Sequence, residues 1–162
     1  MNSLLIALSF ITYSASAQSE FDKKLKSLYK NTVETIRPVE VEKLMKDKNI
    51  VLLDTRTIEE FNVSHLKGAQ LLDYDSYSTD DLKRIAKNAT IIVYCSVGVR
   101  SELVGEKFIE LGYNNVLNIY GGIFEWKNKG YNVVNKSNQP TDSVHTYNKS
   151  WSKWLEHGVK IY

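Results

Sequence analysis

The feature that most constrains the fold is the alternation of short, predominantly apolar segments with amphipathic ones. The apolar segments are residues 50–53, 69–72, 90–94 and 116–119. A strand that is apolar at successive positions is buried on both faces, and such strands are typical of parallel sheets covered by helices on both sides. The central part of the chain is therefore predicted to be an α/β domain built on a parallel sheet.

Helix signals fall between these strands. Thr57 and Glu60 have the spacing of a capping box, and Ser78 and Asp81 repeat that spacing. Two further helices are predicted at residues 101–111 and 123–129. Each predicted strand is thus followed by a helix, as a parallel sheet requires.

The beginning of the chain is predicted to lie outside this domain. An apolar run at residues 4–11 precedes Ala15-Ser16-Ala17, which is the pattern of a secretory signal peptide over residues 1–17. The run is shorter than the ~20 apolar residues that cross a bilayer, so stable membrane insertion is not expected. A periplasmic or secreted protein is predicted. Residues 18–37 form an N-terminal extension with an amphipathic helix over 21–36.

The end of the chain is predicted to be a second extension. A polar stretch with Pro140 separates residues 136–162 from the domain. Trp151, Trp154 and Leu155 have the spacing of one helical face. Because large aromatic side chains favour burial, this extension is expected to pack on the core.

Composition excludes several classes of function. The chain has 21 basic and 19 acidic residues, a formal charge of +2, which gives no electrostatic case for nucleic acid. Its single cysteine rules out an intramolecular disulfide and a cysteine-based zinc site. No cofactor motif is present, and neither a cofactor nor a metal is expected.

That cysteine, Cys95, directly follows the strand at 90–94, and Ser101 begins the next predicted helix. Ligands of parallel sheets bind beyond the carboxyl ends of the strands. Backbone N–H groups at the start of the helix, together with Arg100, favour the thiolate form of Cys95. Gly98 lets the loop curl so that these groups face the sulfur. Cys95 is therefore predicted to be a nucleophile rather than a structural cysteine.

Several motifs, in order along the chain, resemble those of single-domain rhodanese-like proteins. The loop from Cys95 to Ser101 resembles their C-x-x-G-x-R-S active-site loop. The other motifs are Asp54-Thr55-Arg56 (D-x-R), Glu59-Glu60-Phe61 with Ser64 to Ala69 (E-E-F…G-H-I-x-G-A), and Leu111 to Trp126 (L-G-Y…V…G-G-I…W). The resemblance covers residues 38–134, and Ser64 stands where the family usually has Gly.

The resemblance implies a five-stranded parallel sheet with helices on both faces in residues 38–135. It also implies sulfur transfer from thiosulfate or a persulfide, through a Cys95 persulfide, to a thiol or cyanide. The residues that would contact the substrate are Ser96, Val97, Gly98, Val99, Arg100 and Ser101. The expected partners are a small sulfur-containing anion or low-molecular-weight thiol and, as a further acceptor, a protein thiol. The protein is expected to be a monomer.

Three interpretations of neighbouring residues follow. Arg100 either binds an anionic donor or pairs with an acidic residue and fixes the loop. Asp54 and Arg56 are expected to join an ion-pair network with Glu59 or Glu60. Tyr74 and Tyr77 are candidates for the mouth of the pocket.

Other functions remain open. A cysteine phosphatase uses a C-x5-R loop, whereas Cys95 and Arg100 form C-x4-R, one residue shorter. A thiol redox role would need a partner thiol from another molecule. The third alternative is a non-enzymatic rhodanese-like sulfur carrier or protein-interaction module. The apolar Val97 and Val99 make the loop weakly charged, which would slow turnover with thiosulfate and keeps this alternative open.

The signal peptide leads to a direct test. Cleavage after Ala17 should release a mature protein that begins at Gln18 in the exported fraction. Cell fractionation followed by N-terminal sequencing measures this. Full-length protein retaining Met1 in the cytoplasm would contradict the prediction.

Overall fold

The structure is a computed structural model that describes residues 20–47 and 49–162. The predicted signal peptide, residues 1–17, lies outside the described residues. In these two stretches no helix has both the length and the apolar character needed to cross a bilayer.

The described residues form a central five-stranded sheet in the order β1-β5-β4-β2-β3, with every neighbouring pair parallel. Its strands are β1 (Glu34–Ile36), β2 (Ile50–Asp54), β3 (Gln70–Leu71), β4 (Thr90–Tyr94) and β5 (Val116–Ile119). The predicted α/β fold with a five-stranded parallel sheet is confirmed. The order places β4, which carries Cys95 at its carboxyl end, in the middle of the sheet.

Both faces of the sheet are covered. Ile92 and Tyr94 of β4 join one apolar cluster, and Ile91 and Val93 join the other. All four are fully buried, because alternate side chains of a strand point to opposite faces. This arrangement explains why the strand is apolar at successive positions.

Helices supply further residues of the two clusters. They are α1 (residues 20–28), α2 (Pro38–Leu44), α3 (Ile58–Val63), α4 (Thr79–Lys83), α5 (Val99–Glu110) and α6 (Gly122–Asn128). Helices α1, α2 and α6 contribute to the cluster with Tyr94, and α4 and α5 to the other. The capping boxes predicted at Thr57 and Ser78 are present. Helix α5 begins at Val99, two residues before the predicted start.

The helix predicted over residues 21–36 is confirmed for 21–28, where the observed helix spans 20–28, and is wrong beyond residue 28. Asn31 adopts a left-handed conformation, with φ of 59°, and the chain then enters β1. Val33, Thr35 and Ile36 are β-branched and fit a strand better than a helix. Residues 34–36 pair with β5, so the segment predicted as an extension supplies an edge strand of the sheet.

The C-terminal residues form two small sheets and one 3-10 turn. Strands β6 (Val133–Val134) and β7 (Pro140–Thr141) are antiparallel, β8 (Ser143–His145) and β9 (Val159–Ile161) are parallel, and the turn is Ser152–Trp154. Val144 and Leu155 are fully buried in the cluster that contains Phe21 of α1. The ring of Trp154 stacks on Phe21 with 5.5 Å between centroids. The two ends of the described chain therefore pack on each other.

Substitution of Trp154 tests this packing. Trp154 is half-buried, so Trp154→Ala should lower the free energy of unfolding by about 2 kcal/mol, less than the ~3–5 kcal/mol of a fully buried aromatic residue. Thermal unfolding should show a melting temperature lower by several degrees. Lys149→Ala, at an exposed position of the same segment, is the control and should leave it unchanged. Equal melting temperatures for the two variants would refute the packing.

Candidate active site

Cys95 lies at the carboxyl end of β4, at the start of a tight loop that leads into α5. Its side chain is 2% exposed, and its Sγ accepts a hydrogen bond from the Gly98 N–H at 3.1 Å. Gly98 has φ of 99°, and a Cβ there would collide with the hydroxyl of Tyr29. Only glycine fits both the conformation and the space. The loop therefore turns its backbone back onto the sulfur, as the sequence predicted.

The start of α6 holds the outer side of this loop. The N–H of Ile123 donates to the carbonyl of Cys95 at 2.9 Å, and the N–H of Phe124 donates to the carbonyl of Ser96 at 3.2 Å. A Cβ on Gly122 would collide with that Cys95 carbonyl. The Gly121-Gly122 pair of the sequence is thus the feature that lets α6 approach the loop.

Tyr29, just after α1, ties the loop to the same turn. Its buried hydroxyl donates to the Val97 carbonyl at 2.6 Å and accepts from the Gly121 N–H at 2.8 Å. Burial raises the pKa of Tyr29 far above its usual value, so the hydroxyl keeps its proton and remains a donor. No motif in the sequence pointed to this residue, because its role depends on a contact across 68 positions of the chain.

Asn118 of β5 holds the end of the loop through two hydrogen bonds. Its Nδ2 donates to the Gly98 carbonyl at 2.8 Å, and its Oδ1 accepts from the Ser101 hydroxyl at 2.7 Å. Ser101 is fully buried and makes this structural contact. Ser101 was predicted to contact the substrate, but its side chain bonds to Asn118 and does not line the cavity described below.

Arg100 pairs with Glu60 of α3. Its Nη1 donates to Glu60 Oε2 at 2.7 Å and its Nη2 to Glu60 Oε1 at 2.8 Å, while Nη2 also donates to Ser96 Oγ at 3.1 Å. Ser96 Oγ in turn donates to Glu60 Oε1 at 3.0 Å. Of the two interpretations of Arg100, this is the one in which it pairs with an acidic residue and fixes the loop.

Glu60 remains charged in spite of its burial. Burial by itself would raise the pKa of Glu60, but the hydrogen bonds and charge of Arg100, with the charge of Arg56, outweigh it and lower that pKa. Glu60 Oε2 also accepts from the Thr57 N–H at 3.1 Å, closing the capping box of α3. One carboxylate therefore serves both the start of α3 and the Cys95 loop.

Asp54 and Arg56 form a second, fully buried pair. Arg56 Nη2 donates to Asp54 Oδ2 at 2.6 Å and to the Ser64 carbonyl at 2.5 Å. Asp54 is the direct partner of Arg56, whereas Glu60 bonds Arg100 and interacts with Arg56 through the charge of its guanidinium, and Glu59 is exposed. The pair holds the β2–α3 connection beside the site, which is the structural role predicted for it.

A cavity of about 220 Å³ opens beside the sulfur. It is lined by Leu28, Cys95, Ser96, Val97, Val99, Arg100, Tyr147 and Trp151. The structure thus brings Cys95 together with four of the six predicted contact residues, and Gly98 and Ser101 are the two that do not line the cavity. The apolar stripe of α1 and the aromatic residues of the C-terminal segment were the available signals for Leu28, Tyr147 and Trp151.

The predicted place of Tyr74 and Tyr77 is wrong. Both pack against the apolar cluster on the other face of the sheet. The mouth is instead formed by Tyr147, which is 57% exposed and lies with its ring centroid 5.4 Å from Cζ of Arg100. Tyr147 has a left-handed backbone, with φ of 65°. The described residues contain no cluster of His, Cys, Asp and Glu that could hold a metal ion.

Comparisons with known proteins agree with this geometry. A family model described as "Rhodanese-like domain" matches residues 37–129. The tRNA uridine(34) hydroxylase of Streptococcus pneumoniae (strain Hungary19A-6) is 30% identical over 110 residues, which are 65% of this chain and 33% of that protein. The chain therefore spans about a third of the length of the curated relatives it matches.

Two solved structures are also similar. The rhodanese-like domain protein from Staphylococcus aureus has 28% identity and a TM-score of 0.55, covering 64% of this chain and 99% of that chain. The thiosulfate sulfurtransferase from Pseudomonas aeruginosa has 17% identity and a TM-score of 0.59, covering 66% and 20%. At this identity the second similarity shows a shared fold alone.

The Tyr29 hydroxyl provides a test of how the loop is held. Tyr29→Phe leaves a buried carbonyl and a buried N–H without partners, which should lower the free energy of unfolding by about 1–3 kcal/mol. The loosened loop should also expose Cys95, so its alkylation by iodoacetamide should become severalfold faster. Urea denaturation and timed alkylation measure the two effects.

Tyr113→Phe is the matched control. The Tyr113 hydroxyl is buried and donates to the carbonyls of Leu82 and Ile85, on the face of the sheet opposite the cavity. Tyr113→Phe should lower the free energy of unfolding without changing the alkylation rate of Cys95. If both variants changed the alkylation rate equally, Tyr29 would have no specific role in holding the loop.

Proposed function

Because the chain belongs to the rhodanese-like domain family, we propose that it is a sulfurtransferase that carries sulfane sulfur as a Cys95 persulfide. The donor is thiosulfate or a persulfide, and the acceptor is a thiol or cyanide. The observation that carries the proposal is the position of Cys95, whose sulfur lines a cavity and accepts the Gly98 N–H at 3.1 Å. In the proposed reaction the sulfur attacks as the thiolate, the nucleophilic form, and the Gly98 N–H is the donor that faces it.

The first half-reaction transfers sulfur to the enzyme. The Cys95 thiolate bonds to the outer sulfur of the donor, the donor's S–S bond breaks, and the electron pair leaves with sulfite or with a thiolate. The product is a persulfide on Cys95. The N–H of Gly98 is directed at Sγ before the reaction begins, so this donor needs no reorganisation at the start of the step.

The second half-reaction regenerates the thiolate. An acceptor thiolate or cyanide bonds to the outer sulfur, and the S–S bond to Cys95 breaks with its electron pair returning to Sγ. This is a covalent two-step scheme in which one nucleophile serves both steps. It needs no second cysteine, in accord with the single cysteine of the chain.

The compartment is a separate part of the proposal. The apolar run at residues 4–11 and the Ala15-Ser16-Ala17 sequence support export, so the reaction is proposed to take place in the periplasm or outside the cell. The hydroxylation named for the Streptococcus relative is not proposed here, since the chain spans about a third of that protein.

Mass spectrometry of the intact protein tests the chemistry. Incubation with a sulfur donor should add one sulfur atom to Cys95, and cyanide or a thiol should remove it. Cys95→Ser is nearly isosteric and should lose the adduct while keeping the melting temperature within about 2 °C, as expected for a change well below 1 kcal/mol. If the folded protein forms no adduct with any donor, it is an interaction module and not a sulfurtransferase.

A further inference from the structure

We propose that the cavity selects an organic persulfide with an apolar substituent over thiosulfate as the sulfur donor. This inference rests on the proposed function, because it names the substrate of the same site. It is carried by two independent properties of the cavity: the neutralisation of its one charged side chain, and the apolar residues that the two flanking segments place in its walls.

The first property is the neutralised charge of Arg100. Arg100 is the one basic or acidic side chain among the described residues that line the cavity, and its guanidinium is held by Glu60 through two hydrogen bonds. The pair is together neutral, and its side chains are 19% and 2% exposed. A dianion such as thiosulfate would enter beside the Cys95 thiolate without a free positive charge to offset its loss of hydration.

To offer thiosulfate an uncompensated positive charge, Arg100 would have to leave Glu60. That movement would strand a buried carboxylate without its partner, and breaking a buried pair in this way is strongly unfavourable. It would also break the hydrogen bond from Arg100 to Ser96 Oγ in the loop. Arg100, for which binding an anionic donor was one of two predicted roles, is therefore paired with Glu60 instead.

The second property is the apolar lining of the cavity. Leu28 comes from α1, Val97 and Val99 from the Cys95 loop and the start of α5, and Trp151 from the C-terminal segment. The volume of about 220 Å³ corresponds to roughly seven water molecules at ~30 Å³ each. This space exceeds what a single inorganic sulfur atom requires, and its lining favours a hydrocarbon or aromatic group over water.

Such a donor fits the first half-reaction. In a hydropersulfide R–S–SH, the Cys95 thiolate bonds to the terminal sulfur, the donor's S–S bond breaks, and the electron pair leaves as R–S⁻. The proton stays on the transferred sulfur, so one negative charge is present before and after the step. The substituent R remains against Leu28 and Trp151, where its burial contributes to binding.

The test compares benzyl hydropersulfide with thiosulfate. The rate of adduct formation on Cys95 is measured by quenched mass spectrometry for each donor and divided by the rate of that donor with free cysteine, which removes intrinsic differences in reactivity. The wild-type protein should prefer benzyl hydropersulfide by about tenfold or more on this normalised scale. A normalised preference for thiosulfate would overturn the inference and leave the proposed function standing.

Glu60→Gln isolates the charge. It keeps the shape of the side chain and frees the charge of Arg100, so the thiosulfate rate should rise by about tenfold relative to the wild-type protein, and the ratio of the thiosulfate rate to the hydropersulfide rate should rise with it. Glu59→Gln makes the same change of net charge one residue away, on the exposed side of α3, and should alter neither rate. A thiosulfate rate that does not rise in folded Glu60→Gln would refute the charge argument.

Trp151→Ala isolates the apolar wall and needs no change in the buried pair. It should slow benzyl hydropersulfide severalfold without slowing thiosulfate. Equal losses for both donors would refute selection by the wall. Absence of any adduct in the wild-type protein with either donor is a different result, because it would reject the proposed function itself.

Discussion

The hydrogen-bonded pair of Arg100 and Glu60 joins the three elements on which the site depends. Arg100 belongs to α5, Glu60 to α3, and Ser96, which bonds both, to the loop that carries Cys95. Glu60 also closes the capping box of α3 through Thr57. Because the pair is largely buried, its two charges stabilise each other far more than they would in water. The pair thus helps to hold the loop and also sets the electrostatic character of the cavity.

The remaining anchors of the loop come from elements that are distant in sequence. Helix α6 binds its first two carbonyls, Tyr29 binds the third, and Asn118 binds the fourth. Because these carbonyls accept hydrogen bonds from other elements, the loop holds a shape in which the Gly98 N–H is directed to the sulfur. In the proposed reaction the surroundings of Cys95 are therefore in place before any donor arrives, which is how a rigid site lowers the barrier to a reaction.

The segments that flank the family match supply part of the cavity wall. The match spans residues 37–129 and includes Cys95 and its loop. Leu28 lies before that region, and Tyr147 and Trp151 lie after it. The stacking of Trp154 on Phe21 holds the two flanks together. The region that matches the family model carries Cys95, and the flanking segments supply walls of the cavity.

The sequence was informative where local chemistry decides the structure. The apolar strands, the capping boxes and the Cys95 loop could all be predicted, because each depends on neighbouring residues. The edge strand β1 could not, since residues 34–36 become a strand only by pairing with β5. The contacts of Tyr29 and the choice of Glu60 as partner of Arg100 are likewise products of tertiary packing. The aromatic residues of the C-terminal segment could be predicted to be buried, but their arrival at the cavity depends on how that segment folds back.

A crystal structure of the protein after treatment with an organic persulfide is the most direct test of the proposed Cys95 persulfide. We expect an additional sulfur atom on Cys95 Sγ, directed into the cavity, with both hydrogen bonds between Arg100 and Glu60 intact. A structure in which Arg100 has left Glu60 to contact the added sulfur would contradict it. So would a sulfur atom that lies outside the cavity lined by Leu28, Tyr147 and Trp151.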